Sequence, residues 1–238
     1  MAGDSRGARD GRQTRWDGHK EERRRQIIAA AIETAQESEP GVEIHVQEIA
    51  ERAGLSRTVV YRHFSDRADL DRAVQAEILD QVWDLLLPQV VLEGTVPEII
   101  RRIIEAYVTW AVEHPALHRL ADHDSSHENG PLEVGLERLA EQITDLLVLA
   151  LPAEPLDGGR AVLDAMVYGI VGAAFSTVRR WISKPDRTLS AAMVTELVSD
   201  SVWFVVQGHA LRFGVALSRE MRAEEFTGAV ADAGSLPT

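Results

Sequence analysis

IHVQEIAERAGLSRTVVYRHFSDRADL, residues 44–70, is the stretch that decides how this chain folds. Ile49, Ala50 and Ala53 recur at helical spacing and form one apolar stripe. Ala50 and Ala53 are small, so a second helix can approach closely. Gly54 can take the left-handed conformation that ends a helix and turns the chain. Leu55 plugs the corner, and Ser56 is placed to cap the next helix by accepting a backbone N–H bond. Val60 and Phe64, four apart, point back into the same small core. The stretch therefore predicts two short helices around a glycine turn.

That packing leaves Arg57, Thr58, Val59, Tyr61, Arg62 and His63 on the outer side of the second helix. Arginine can bond two guanine acceptors at once, and Tyr, His and Thr can donate to phosphate oxygens. A helix pair with such a face is a helix-turn-helix that lays its second helix in the major groove of DNA. Gln47 on the first helix and Arg67 just after the motif complete the set of candidate DNA contacts.

The order GLSRTVVYRHFSDRADL resembles the DNA-binding segment of the TetR family of transcriptional regulators. In that family a Tyr-x-His-Phe run closes the recognition helix and a basic residue follows near the start of the next helix. Here these are Tyr61, His63, Phe64 and Arg67. EIAERAG at 48–54 is similar to the family's first motif helix, and RRRQIIAAAIETA at 23–35 to its opening helix. The close resemblance covers about residues 20–72. Two positions depart from it. His45 stands where the family usually has a Ser or Thr cap. Val59 stands where Thr is common, exchanging a polar contact for an apolar one with a thymine methyl.

At 238 residues the chain suits a small head and a larger body. The composition is 45% hydrophobic and only 5% aromatic, and strand-type alternation is scarce, so the expected fold class is all-α. There is no cysteine, hence no disulfide framework, no Cys-based metal site and no thiol switch. The most apolar stretch, 161–178, is interrupted by Asp164, so no membrane span is expected. The Arg/Asp/Gly-rich N-terminus does not look like a signal peptide, and the expected location is cytoplasmic.

The net charge of −13 looks wrong for a DNA binder until the chain is divided. Residues 1–72 hold 13 Lys and Arg against 14 Asp and Glu; the remainder holds 12 against 24. The acid belongs to the body. Within 52–67 four arginines face the single Asp66. Charge near the phosphates governs binding, while an acidic body repels DNA and orients the head. This pattern excludes a polybasic nonspecific binder.

Four regions are expected. Residues 1–19 form a disordered tail, whose Arg12 and Arg15, with Lys20, are placed for phosphate contact. Residues 20–72 form the helix-turn-helix domain, opened by a helix from about Glu21 to Glu37 with Ile27, Ile28, Ala31, Ile32 and Ala35 inward and Pro40-Gly41 as its stop. Residues 73–218 form a helical ligand-binding and dimerisation body, and 219–238 a second disordered tail. A linking helix over 67–87 ends at Pro88. Body helices follow over 96–113, a short one after His114-Pro115, then 132–151, 160–182 and 189–213, with a polar loop at 122–131 and a turn at 152–159. The last two helices look like a dimer seam. One offers Ala165, Met166, Gly169, Gly172, Ala173 and Ser176; the other Val194, Leu197, Val198, Val202, Val205 and Val206. The family resemblance implies the same arrangement.

The candidate ligand-binding residues are Tyr107, Trp110, His114, Leu117, Leu147, Tyr168 and Phe175, with Trp203 also inward. A cavity among them favours a hydrophobic ligand with Tyr107, Trp110, His114 or Tyr168 as polar anchors; the family resemblance implies that an effector binds there. A rival chemistry is the crowd of His114, His118, Asp122, His123, Asp124, His127 and Glu128, whose donors suit Zn, Ni or Mn. Its spacing is loose and Pro115 breaks the His114–His118 helical relation. Ser125 and Ser126 lack the strand-turn-helix elbow of a hydrolase nucleophile. No catalytic residue, resident metal or cofactor is expected. The function expected is a homodimeric repressor on a palindromic operator in double-stranded DNA, released by a small hydrophobic effector. The alternative is an all-α metal- or ligand-binding protein using the 114–128 cluster, with a vestigial helix-turn-helix.

Overall fold

The computed structural model describes residues 7–38, 42–122, 130–150, 159–184, 186–212 and 215–224. Among these the fold is all-α; an isolated bridge between Thr95 and Arg222 is the β-type pairing they contain. The chain divides into two compact units, Met1–Ile78 and Leu79–Thr238.

The first unit holds α1 (Gly7–Glu37), α2 (Val46–Arg52), α3 (Arg57–His63) and the beginning of α4 (Arg67–Leu86). Its core is the one the apolar periodicity implied. Ile27, Ile28, Ala31, Ile32 and Ala35 of α1 are buried with Ile49, Ala50, Ala53, Val60, Phe64 and Leu70. Gly54 makes the turn between α2 and α3 at φ 67, and Leu55 N–H closes it on the Ala50 carbonyl at 2.8 Å. A Cβ at Gly54 would meet nothing within 4 Å. Gly54→Ala therefore adds only left-handed backbone strain and is expected to lower stability by about 1–2 kcal/mol, read as a lower urea midpoint with an unchanged slope.

Two side chains of α1 tie the motif together. Gln26 Nε2 donates to the Ala53 carbonyl at 2.8 Å, and Arg24 Nη1 to the His63 carbonyl at 2.9 Å. Both acceptors are helix-end carbonyls that lack an intrahelical partner. The Arg24 guanidinium also lies 4.2 Å from the Phe64 ring centre and 3.7 Å from Asp69.

Two local details differ from expectation, and a third follows from the His45 departure. First, α1 begins at Gly7 rather than near Glu21, so the chain from residue 7 to 19 is helical. Once Ile27–Ala35 is helical, backward extension requires only propagation, and Arg9, Arg12, Gln13 and Arg15 are good helix formers. Second, the Ser56 side chain makes no capping bond; its carbonyl instead accepts from Val59 and Val60 N–H at 2.9 and 3.2 Å. Third, α2 starts without a hydroxyl cap because the Glu48 carboxylate reaches back to His45 N–H at 2.9 Å.

The second unit holds the end of α4, a 3-10 turn at Leu87–Gln89, α5 (Val96–Glu113), α6 (Pro115–Asp122), α7 (Pro131–Ala150), α8 (Gly159–Ile182) and α9 (Ala191–Arg212). Helix α5 packs chiefly on α9, and α7 on α8. A reciprocal cap opens α5: Thr95 Oγ1 accepts from Glu98 N–H at 3.3 Å and the Glu98 carboxylate from Thr95 N–H at 2.8 Å.

Beyond α9 the chain returns as a strap over residues 215–224. Val215 N–H donates to the Ala210 carbonyl at 2.8 Å, and Ala223 N–H to the Gly94 carbonyl at 2.8 Å. Gln207 Nε2 donates to the Leu217 carbonyl at 3.0 Å, and Gly94 N–H to the Glu224 carboxylate at 3.1 Å. Residues 219–224, assigned from sequence to a tail, are thus docked, with Ala223 buried; residues 225–238 lie outside the described residues. The Gly94 N–H, then the backbone N–H of Glu224 itself and Arg222, hold the Glu224 carboxyl down to about 2 from 4.5. The ionised form is the one favoured by folding. Its contribution is complete above about pH 4.5 and is lost as pH falls toward 2. The protection factor of the Ala223 amide is expected to fall across that window, and less so in Glu224→Gln.

Helix α8 is apolar and long enough to cross a membrane by length and composition, with mean hydropathy 1.7 despite Asp164. That is more apolar than the sequence expectation allowed. Leu163, Val167, Phe175 and Val178 are buried within the unit, while Ala165, Gly169, Ala173 and Ser176 form an exposed small-residue face. Helix α9 splits differently from the predicted seam. Val194 and Val198 are buried in the protomer, and Val202 and Val206 line an internal cavity. The exposed stripe is Met193, Leu197, Phe204, Val205 and Leu211, with Leu197 at 55% and Phe204 at 60% exposure.

Candidate nucleic-acid interface and body cavity

Burial of Val60 and Phe64 fixes which side of α3 faces out. Arg57, Thr58, Tyr61 and Arg62 are exposed, and Val59 and His63 are partly so. The Arg57 guanidinium sits 5.5 Å from the Tyr61 ring centre one turn on, which holds both groups on one edge of the helix. On α2, Gln47 is exposed and its Nε2 donates to Glu51 at 2.7 Å.

Beside this face lies a groove of about 600 Å³ lined by His19, Lys20, Arg23, Gln26, Val59, Arg62 and His63, with Glu22. It joins the early part of α1 to α3 and concentrates positive charge, which suits a phosphate backbone. Burial, and after it the positive charges of Lys20, Arg23 and Arg24, push His63 below its usual 6.5, so its imidazole is neutral at pH 7. Its Nδ1 is buried without a hydrogen-bond partner. Sequence reasoning singled out Lys20 here but missed Arg23 and Gln26, whose signal was the polar run directly before the apolar stripe of α1.

Arg67 is placed differently. Its Nε donates to Asp71 at 2.8 Å and its Nη1 to the Ile44 carbonyl. The guanidinium braces the approach to α2, which ties it to the motif's own framework.

The second unit contains a cavity of about 250 Å³, partly open to solvent. Of the seven predicted ligand residues, Tyr107, Leu147 and Phe175 line it; Trp110, His114, Leu117 and Tyr168 do not. Leu117 is instead fully buried core. Trp110 lies against His114 and His118, with ring centres 5.8 and 6.1 Å apart. Missed lining residues include Trp83 and Leu86 of α4 and Val215, Leu217 and Ala223 of the strap. Val215 and Leu217 fall inside the expected body of 73–218 but beyond its last expected helix, and their apolar character was a readable signal. Trp83 lies flat against Gly135 of α7, where an added methyl would overlap the indole. The Tyr107 hydroxyl pairs with His118 Nε2 at 2.9 Å in a buried contact, and the Tyr107 ring stacks on Phe175 with centres 5.1 Å apart.

His118 is thereby a buried partner of Tyr107, 2% exposed. His123, Asp124, His127, Glu128 and the Asp122 side chain lie outside the described residues. Among the described residues no group of three or more His, Asp or Glu side chains is placed to hold a metal ion.

The sequence profile of bacterial regulatory proteins of the tetR family matches residues 27–74. An uncharacterized HTH-type transcriptional regulator of Mycobacterium tuberculosis strain H37Rv, Rv0472c, is 30% identical over 183 residues, covering 74% of each chain. A tetR-family transcriptional regulator from Streptomyces coelicolor has the same fold, with TM-score 0.61 and 21% identity across 89% of each chain. RolR, solved in complex with resorcinol, aligns at TM-score 0.53 and 19% identity over 93% of this chain and 98% of its own. These likenesses favour the regulator over the metal-binding alternative.

Proposed function

The chain belongs to the TetR family of DNA-binding transcriptional regulators, and on that premise we propose that it is a homodimeric repressor released from a palindromic operator by a small hydrophobic effector. The observation that carries this is the outward face of α3, with Arg57, Thr58, Tyr61 and Arg62 exposed beside a cationic groove. In the proposed complex Arg57 and Arg62 read base edges or clamp phosphate, Val59 meets a thymine methyl, and Thr58, Tyr61, His63, Gln47, Lys20 and Arg23 position the backbone. Arg67 acts by bracing α2. The exposed stripe of α9 and the small-residue face of α8 suit pairing with a second copy, and two recognition helices then favour an inverted repeat with half-sites about one helical turn apart, or a multiple of it.

The effector site of this reading is the body cavity, wetted by neither charge nor side-chain amide. Helix α4 starts at Arg67, directly after the motif, and ends at Leu86 on the cavity wall. An effector that shifts the end of α4 biases the spacing of the recognition helices. Full conversion of a DNA-competent population requires about 5.5 kcal/mol of preference for the incompetent state.

Selection from a random DNA library tests the DNA half of the proposal. Recovery of an inverted repeat bound by the dimer is expected; enrichment of no sequence, or of a single half-site bound by a monomer, overturns it. The switching half is tested by linkage. Operator must weaken effector binding by the same factor by which effector weakens operator binding. Equal effector affinity with and without operator excludes an inducer role for that ligand.

A further inference from the structure

The cavity wall says more about its occupant than that it is hydrophobic. Most of the lining is Leu, Ile and Val, with Met166 and small Ala residues. Among the described lining residues the only polar side-chain groups are the Trp83 indole N–H and the Tyr107 hydroxyl. The hydroxyl is turned to His118 at 2.9 Å, and the indole lies against Gly135. A carbonyl or hydroxyl carried into this space loses its water hydrogen bonds and finds at most the single indole N–H of Trp83 in their place. An ionised carboxylate or ammonium fares worse still.

The aromatic groups do not favour a planar ligand either. Among the described lining residues only Trp83, Tyr107 and Phe175 bring rings to the wall, and Tyr107 is already stacked on Phe175 at 5.1 Å. The volume of about 250 Å³ exceeds that of an engineered apolar cavity of about 150 Å³ that stays dry and takes up hydrophobic guests. One rim residue, Val91, is 38% exposed, which leaves room for a polar end to stay in water there.

We propose that the body cavity binds a ligand whose enclosed part is saturated hydrocarbon, an alkyl chain or alicycle without internal polar groups, with any polar terminus held at the solvent rim. This rests on the cavity being the effector site, and the test separates the two. The full-length protein is titrated calorimetrically at pH 8 with octan-1-ol, octane-1,8-diol, octanoate and resorcinol, and each probe is added to an operator gel shift. Octan-1-ol and octanoate, each with a single terminus that can stay at the rim, are expected to bind at least tenfold more tightly than the diol, with resorcinol weaker than all three. Ala174→Trp, which fills the cavity from α8, and Gly135→Ala, which drives the Trp83 indole into it, are each expected to remove octan-1-ol binding.

Diol matching octan-1-ol overturns the inference, as does octan-1-ol binding that survives in both folded variants, or failure of every probe to bind. Resorcinol binding that releases operator also overturns it while leaving the effector site standing. Octan-1-ol that binds with the expected selectivity but leaves the operator complex intact upholds the inference and removes the effector role.

Discussion

Replacing Arg57 and Arg62 together by alanine is expected to abolish operator recognition while leaving the fold intact. Both side chains are exposed on α3, opposite the Val60 and Phe64 anchors that hold the helix down. A bidentate arginine–guanine contact is worth about 1–3 kcal/mol of discrimination, so two such contacts make a loss of about 2–6 kcal/mol if they act independently. The accompanying loss of the Arg57–Tyr61 contact at 5.5 Å is small because the pair is exposed. The measurement is a binding isotherm on the selected operator and on scrambled DNA, with circular dichroism confirming the helical fold. Loss of affinity on the operator should exceed loss on scrambled DNA. Lys20→Ala should differ in kind, weakening both nearly equally and lowering the salt slope by about one unit. Wild-type affinity for the double arginine variant would remove α3 from its assigned role.

The second large effect is expected from Leu197→Glu combined with Phe204→Glu. These side chains are 55% and 60% exposed on α9 and contribute little to the protomer's own core. In a dimer joined along this face, two carboxylates from each copy enter an apolar contact, and Arg219, 5.4 Å from the Phe204 ring centre and already paired with Asp200 at 2.9 Å, offsets only part of the desolvation. The variant should sediment as a folded monomer. With two half-sites no longer bound through one body, operator affinity should fall by about 10²–10⁴, the usual gain from linked binding. A variant that remains dimeric places the seam elsewhere. A monomer that binds the operator as tightly as the wild type means that one head suffices.

The helix-turn-helix was legible because every level of the sequence agreed on it. The apolar spacing of Ile49, Ala50, Val60 and Phe64, the turn glycine and the outward arginines each indicate the same arrangement, and burial of all four apolar residues follows it. The helix boundaries of the body were nearly as plain, since Pro88 and Pro115 mark two of them chemically. The faces of α9 were not legible. The cavity recruits Val202 and Val206 while Leu197 and Phe204 stay outside, yet all four are apolar residues of one helix that is apolar around most of its circumference. Without a polar side there is no phase to read.

The cavity lining was only partly legible, for a related reason. Trp110, His114 and Tyr168 were chosen for chemistry that a ligand could use, but Tyr107 is the only group among the four proposed polar anchors that reaches the cavity, and it faces His118. Sequence shows which side chains carry hydrogen-bonding groups. It does not show which of them satisfy one another, because such pairs join residues on different helices. By itself the sequence determined the all-α class, the helix-turn-helix and the acidic body, since these follow from local periodicity, turn chemistry and counted charge. The tertiary structure alone decided that the strap at 215–224 closes onto Gly94, that Gly135 makes room for Trp83 and that the cavity has a hydrocarbon wall. Each of these depends on contact between segments far apart in the chain, where packing determines which surface remains open.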